Sequence, residues 1–187
     1  MSERVPAVVA GHGSGFQPTP TPVIDYWFKR LRQIAPEVFD DRVFVDVGCG
    51  KGKVLIRWAK LLKRHGLVQR LVGVESDEAL LEECERRFRN EKVEEGDVQT
   101  FLADATDFEY EVIGSKFLCW MFNPFDEHSV GAWCRSMDAI VDALVVLNNP
   151  VHANVLLEEG FILIDLWDRS STGHDSWFLM WRGADSE

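Results

Sequence analysis

Apolar residues in this chain fall into short runs and helical stripes that alternate along its length. Val43–Val47 is β-branched or aromatic at every position except Asp46, the composition of a strand covered on both faces. From Lys53 to His65 the apolar positions become 54, 55, 58, 61 and 62, which line up on one face of a helix. Arg70–Glu75 is again a short apolar run, ending in an acid. Leu80, Leu81, Cys84 and Phe88 then predict a helix whose start Ser76 caps through its hydroxyl, with Asp77 and Glu78 at its positive end. Further strands are predicted at Val98–Leu102, Lys116–Phe122 and Ala143–Leu147, with helical or loop stretches between them. Phe161–Trp167 and Ser176–Trp181, separated by a polar loop, suit an antiparallel hairpin. Upstream, Ile24, Trp27, Phe28 and Leu31 share one face of a helix over about Val23–Ile34, expected to dock on the sheet edge. The strand and helix patterns alternate throughout, so the fold class is α/β.

The turn between the first strand and its helix carries the strongest chemical signal. Gly48, Gly50 and Gly52 alternate there, supplying positive φ and bare backbone where a ligand can come close to the main chain. The turn lies at the carboxyl end of a strand and at a helix N-terminus, where open α/β sheets bind ligands. Glu75 follows Gly52 by 23 residues. An acid about 20 residues after such a loop is placed to accept the hydroxyls of a ribose. The dinucleotide pattern G-x-G-x-x-G would need glycine at position 53, and Lys53 stands there instead. The competing account is a tight turn with no ligand.

These residues resemble the class I S-adenosylmethionine (SAM) dependent methyltransferases. Asp46-Val47-Gly48-Cys49-Gly50-Lys51-Gly52 resembles the family's first motif and Gly73-Val74-Glu75 its second. Asp104, followed by Ala105, resembles the third, and Asn123-Pro124-Phe125 the fourth. More narrowly, Pro18-Thr19-Pro20, the loop and the Asn-Pro-Phe turn resemble a group of small bacterial methyltransferases. The resemblance implies a Rossmann-like, doubly wound, mostly parallel seven-stranded sheet ending in an antiparallel hairpin. It implies S-adenosyl-L-methionine as cofactor, held by Asp46, Gly48, Cys49, Gly50, Gly52, Glu75, Ser76, Asp104, Ala105 and Thr19. Asn123, Pro124 and Phe125 would frame the acceptor. The family's amino-methylating members carry Asn-Pro-Pro-aromatic, so the missing second proline leaves an amino acceptor suggested only; the plainer reading is a proline turn capped by Asn.

Composition narrows the partners. The chain of 187 residues has 46% hydrophobic and 27% charged content, ordinary for one globular domain. A single domain over residues 16–187 is expected after a flexible lead-in at 1–15, with specificity coming from loops. The net charge of −11 makes non-specific nucleic-acid binding an unfavourable reading. Arg57, Lys60, Lys63, Arg64 and Arg70 read as a solvated helix face, with a local basic patch as the alternative. No stretch is long and apolar enough for a membrane helix, no secretory signal is evident, and a cytoplasmic location is expected.

The four cysteines show no C-x-x-C spacing and read as reduced core thiols. Cys49 differs in lying near a helix N-terminus, where a thiolate is favoured; a small loop residue without thiol chemistry is the simpler account. The histidines are dispersed, so no metal site is expected. His128, beside Asp126 and Glu127, is either a proton acceptor or part of a helix start. Phe16–Pro22 is stiffened by its prolines and serves either as a lid or as a plain linker. The acceptor is a small molecule or a protein group. Two other functions remain open: a nicotinamide-dependent oxidoreductase, and a non-catalytic protein that binds SAM or a related nucleoside.

Overall fold

The computed structural model describes residues 18–94, 96–122, 125–137, 140, 142–148, 150–167 and 177–183. Seven strands form one sheet: β1 (Val43–Val47), β2 (Leu71–Glu75), β3 (Val98–Leu102), β4 (Lys116–Phe122), β5 (Asp142–Asn148), β6 (Ile162–Trp167) and β7 (Trp177–Gly183). Their order is β3-β2-β1-β4-β5-β7-β6. The first five run parallel; β7 is antiparallel to both β5 and β6. The sheet is therefore Rossmann-like, with the antiparallel terminal pair that the hairpin pattern predicts.

Helices cover both faces. On one face lie α1 (Thr21–Ile34), α2 (Val38–Asp41), α3 (Lys53–His65) and α4 (Glu78–Asn90). Trp58 of α3 and Trp27, Phe28 and Leu31 of α1 are completely or almost completely buried there. On the other face lie α5 (Glu127–Ser136), α6 (Ala153–Glu158) and a 3-10 turn at Tyr110–Val112. The four central strands are buried along most of their length, while β3 at one edge is half-exposed. At the other edge β6 leaves Ile162, Leu163, Ile164 and Leu166 exposed.

Helix α1 lies across a face of the sheet and only reaches its edge. Its buried residues share a cluster with β4, β5 and β7. Tyr26 then stacks on Trp167 of β6 with ring centroids 4.0 Å apart, and Arg30 pairs with Asp165 at 2.6 Å. Helix α4 corrects the expected cap. Asp77, not Ser76, is the N-cap, its carboxylate accepting from the Leu80 amide at 3.0 Å. The polar face of α3 matches the solvated-face reading: Arg57 is paired with Asp25, Lys60 with Glu91 and Lys63 with Glu94.

Candidate active site

Parallel register builds the site. Asp46 on β1 lies beside Gly73 on β2 and Trp120 on β4. Gly73 has no side chain, and the space it leaves is used: a Cβ there would lie 2.8 Å from Cys49 Sγ and 2.7 Å from Leu55 Cδ1. Beyond β1 the chain turns through Gly48, Gly50 and Gly52 with φ of 73°, 51° and 69°, left-handed values that glycine adopts without strain. The amides of Gly48 and Cys49 donate to the Val74 carbonyl at 2.9 and 3.0 Å, tying the loop to β2.

Glu75 closes the loop from the next strand. It is buried, and its Oε2 accepts from the Gly50 amide at 2.7 Å. Its Oε1 accepts from the amides of Ser76 and Asp77 at 2.9 and 3.0 Å. Three N–H dipoles thus compensate this carboxylate; Oε1 is filled by two of them, and Oε2 keeps room for one further donor. Asp46 receives no such help. It is only 4% exposed and its Oδ2 has no hydrogen-bond partner. Burial first, and then the nearby charge of Glu75, push its carboxyl up to about 8.

The loop after β3 adds Asp104 and Ala105. Asp104 Oδ1 accepts from the Thr106 amide at 2.9 Å and from its hydroxyl at 2.8 Å, which hold the carboxylate below its ordinary range. Ala105 is buried, and its carbonyl accepts from the Tyr110 hydroxyl at 3.2 Å. The amide of Ala103 donates to the Glu75 carbonyl at 2.9 Å, so the ends of β2 and β3 are joined. Thr19 is buried as well, its hydroxyl oxygen accepting from Trp120 Nε1 at 3.4 Å. The segment before α1 therefore rests on the β4 residue that is registered with Asp46. Inside an apolar strand Trp120 reads as core; only register brings it beside the loop.

Cys49 does not follow the thiolate reading. Its thiol is buried and is pushed up by a hydrogen bond with Cys84, by burial and by the charge of Asp46. It packs the loop against α4 and under β2. All four cysteines are buried and free. Asn123 and Pro124 lie outside the described residues, while Phe125 is half-buried against the α5 and α6 face. Asp126 caps α5 by accepting from the Ser129 amide at 2.8 Å, and His128 is exposed on its first turn. That arrangement is the helix-start account of these residues.

A profile described as a methyltransferase domain matches residues 44–148, from β1 through β5. A magnesium protoporphyrin IX methyltransferase from Synechocystis PCC 6803, crystallised with bound SAM, superposes with a TM-score of 0.62 at 12% identity, over 86% of this chain and 78% of that one. The methyltransferase domain of bacterial CtHen1-C gives 0.61 at 13%, over 87% and 97%. The [4+2]-cyclase SpnF gives 0.63 at 14%, over 87% and 81%. Likeness at these identities is likeness of fold, and the cyclase is a reminder that one fold hosts different chemistries. No curated protein sequence matches the chain.

Proposed function

This chain belongs to the methyltransferase-domain family, and from that premise we propose that it transfers a methyl group from SAM to a nucleophilic acceptor, an amino group of a protein side chain or small molecule being one candidate. The observation that carries the proposal is the convergence of two buried carboxylates, Asp46 and Glu75, on a loop of three left-handed glycines. A cation beside Asp46 and hydroxyl donors beside Glu75 would satisfy what this pair leaves open, and SAM has both. When bound, SAM supplies a methyl group on a sulfonium, whose leaving group is a neutral thioether.

In this reading Gly48, Cys49, Gly50 and Gly52 let the methionine portion pass close to the backbone beside Asp46. Glu75 accepts from the ribose hydroxyls, with Ser76 alongside. Asp104 accepts from the adenine amino group and Ala105 lines the ring. Thr19, seated on Trp120, covers the donor from the N-terminal side. Asn123, Pro124 and Phe125 frame the acceptor, as the resemblance to the family's fourth motif implies. Residues 16–187 act as the catalytic domain of a cytoplasmic enzyme. Its residues mainly have to hold donor and acceptor in line, which supplies on the order of 7–11 kcal/mol in well-oriented systems.

Calorimetric titration with SAM, S-adenosylhomocysteine, NAD and NADP tests the reading. Micromolar binding of the two sulfur nucleosides is expected. Glu75→Ala removes an acceptor of charge-assisted hydrogen bonds worth roughly 1.5–3 kcal/mol each, so affinity should fall tenfold or more. Unchanged affinity in that variant would remove Glu75 from the site. Preference for a nicotinamide nucleotide would replace the whole reading. Transfer of label from methyl-labelled SAM to a panel of amines then separates an enzyme from a protein that only binds the nucleoside.

A further inference from the structure

Asp46 is buried, and its Oδ2 has no hydrogen-bond partner. Glu75 from β2 and the Cys49 thiol from the loop act on Asp46 electrostatically, and its neighbours in register are Gly73 of β2, which Cys49 and Leu55 of α3 crowd, and Trp120 of β4, which carries Thr19. Among the described residues the charge acting on Asp46 is that of the Glu75 carboxylate, which disfavours a second negative charge. A carboxylate so buried, beside a like charge and with an oxygen unsatisfied, carries a large desolvation cost that a proton removes. Burial and the Glu75 carboxylate thus both favour the protonated form of Asp46, which has no amide donors of the kind that Glu75 receives from Gly50, Ser76 and Asp77.

Resting on the reading of the loop as the donor site, we propose that donor uptake is coupled to release of one proton from Asp46, the α-ammonium of the donor supplying the positive charge that offsets the negative one the hydrogen leaves behind at this carboxylate. The balance is simple. The Asp46 O–H bond breaks, its proton goes to the buffer, the ammonium keeps all its hydrogens, and no electrons change hands. The driving force is the opposite charge brought next to a carboxyl that is otherwise better off neutral. Asp46 would thereby select nucleosides bearing an ammonium against those without one.

The sign of the pH dependence follows. The protonated acid must lose its hydrogen to bind, so affinity rises with pH until the free acid is itself ionised, at about 8. Between pH 6 and 7 the dissociation constant should fall about tenfold. The ligand's own α-amino group, with an ordinary value of about 8, stays charged in that range.

The test is calorimetric titration of the full chain with S-adenosylhomocysteine at pH 6.5, in phosphate and in imidazole, whose ionisation enthalpies differ. The buffer dependence of the heat counts protons. Wild-type protein should release close to one proton per ligand. Asp46→Asn, which keeps the side chain's shape, should release none and bind with an affinity flat between pH 6 and 7. Methylthioadenosine, which has the nucleoside but no ammonium, should release none from the wild type, a comparison that stands even if the variant does not fold. Binding of S-adenosylhomocysteine without proton release would overturn the coupling and leave the donor site intact. Release that persists in Asp46→Asn, or with methylthioadenosine, would take it away from Asp46. Failure of the wild type to bind S-adenosylhomocysteine at all would overturn the coupling together with the donor-site reading.

Discussion

At Gly52 two constraints meet on one residue. Its φ is +69°, and a Cβ there would lie 2.3 Å from Cys84 Sγ and 3.0 Å from Phe88 Cε1. Gly66, which ends α3, has nearly the same φ of +64° but open space around it. The pair separates backbone strain from collision. Gly66→Ala should cost about 1 kcal/mol, the left-handed penalty alone. Gly52→Ala should cost about 1–3 kcal/mol more, because Cys84 is buried and has little freedom to yield, and it should also weaken donor binding by shifting the loop. Urea unfolding of both variants checks the difference; equal losses would mean that the loop relaxes around the added methyl.

At the scale of elements, the start of α4 shows how the site and the fold share backbone groups. The amides of Ser76 and Asp77 are turned back onto Glu75, and the Asp77 carboxylate is turned forward onto Leu80. The serine hydroxyl at position 76 is therefore not the cap, though serine is as good a capping residue as aspartate. Asp77→Ala should destabilise the protein by about 1 kcal/mol, and Ser76→Ala by much less. Thermal or urea midpoints of the two variants decide it, and the opposite ranking would restore Ser76 as the cap. Helix α1 is fixed by contacts far away in sequence: Tyr26 on Trp167 and Arg30 on Asp165 join it to β6, while the chain just before it joins β4 through Thr19 and Trp120.

For the molecule as a whole, the net charge of −11 sets how it meets a polyanion. The basic residues of α3 do not form an uncompensated strip, since Asp25, Glu91 and Glu94 stand against Arg57, Lys60 and Lys63. The protein is expected to pass through heparin, and to leave a mixed-sequence DNA or RNA duplex unbound, at about 0.15 M salt, where screening leaves no long-range attraction. Retention that weakens steeply as salt is added would instead point to a nucleic-acid acceptor.

Much of this was legible in the sequence, because β1, the glycine turn and α3 are consecutive and their patterns are local. The bounds of β1, α3, β3 and β4 are those the apolar pattern predicts, and Glu75 falls at the end of β2 as its spacing requires. Local pattern also marks Asp46 as a carboxylate near the end of β1, whereas Asp104, two residues beyond β3, is marked by the resemblance to the family's third motif. What it could not hold is anything set by neighbours across the sheet. That Asp46 faces Gly73 and Trp120, that Glu75 turns its carboxylate onto Gly50, that Thr19 sits on Trp120 and that Cys49 is sealed against Cys84 all follow from register and burial. A sequence specifies which residues carry charge; the tertiary structure decides which charges lose their water and which receive partners, and that difference leaves Asp46 with an unbonded buried oxygen while Glu75 on the next strand accepts from three amides.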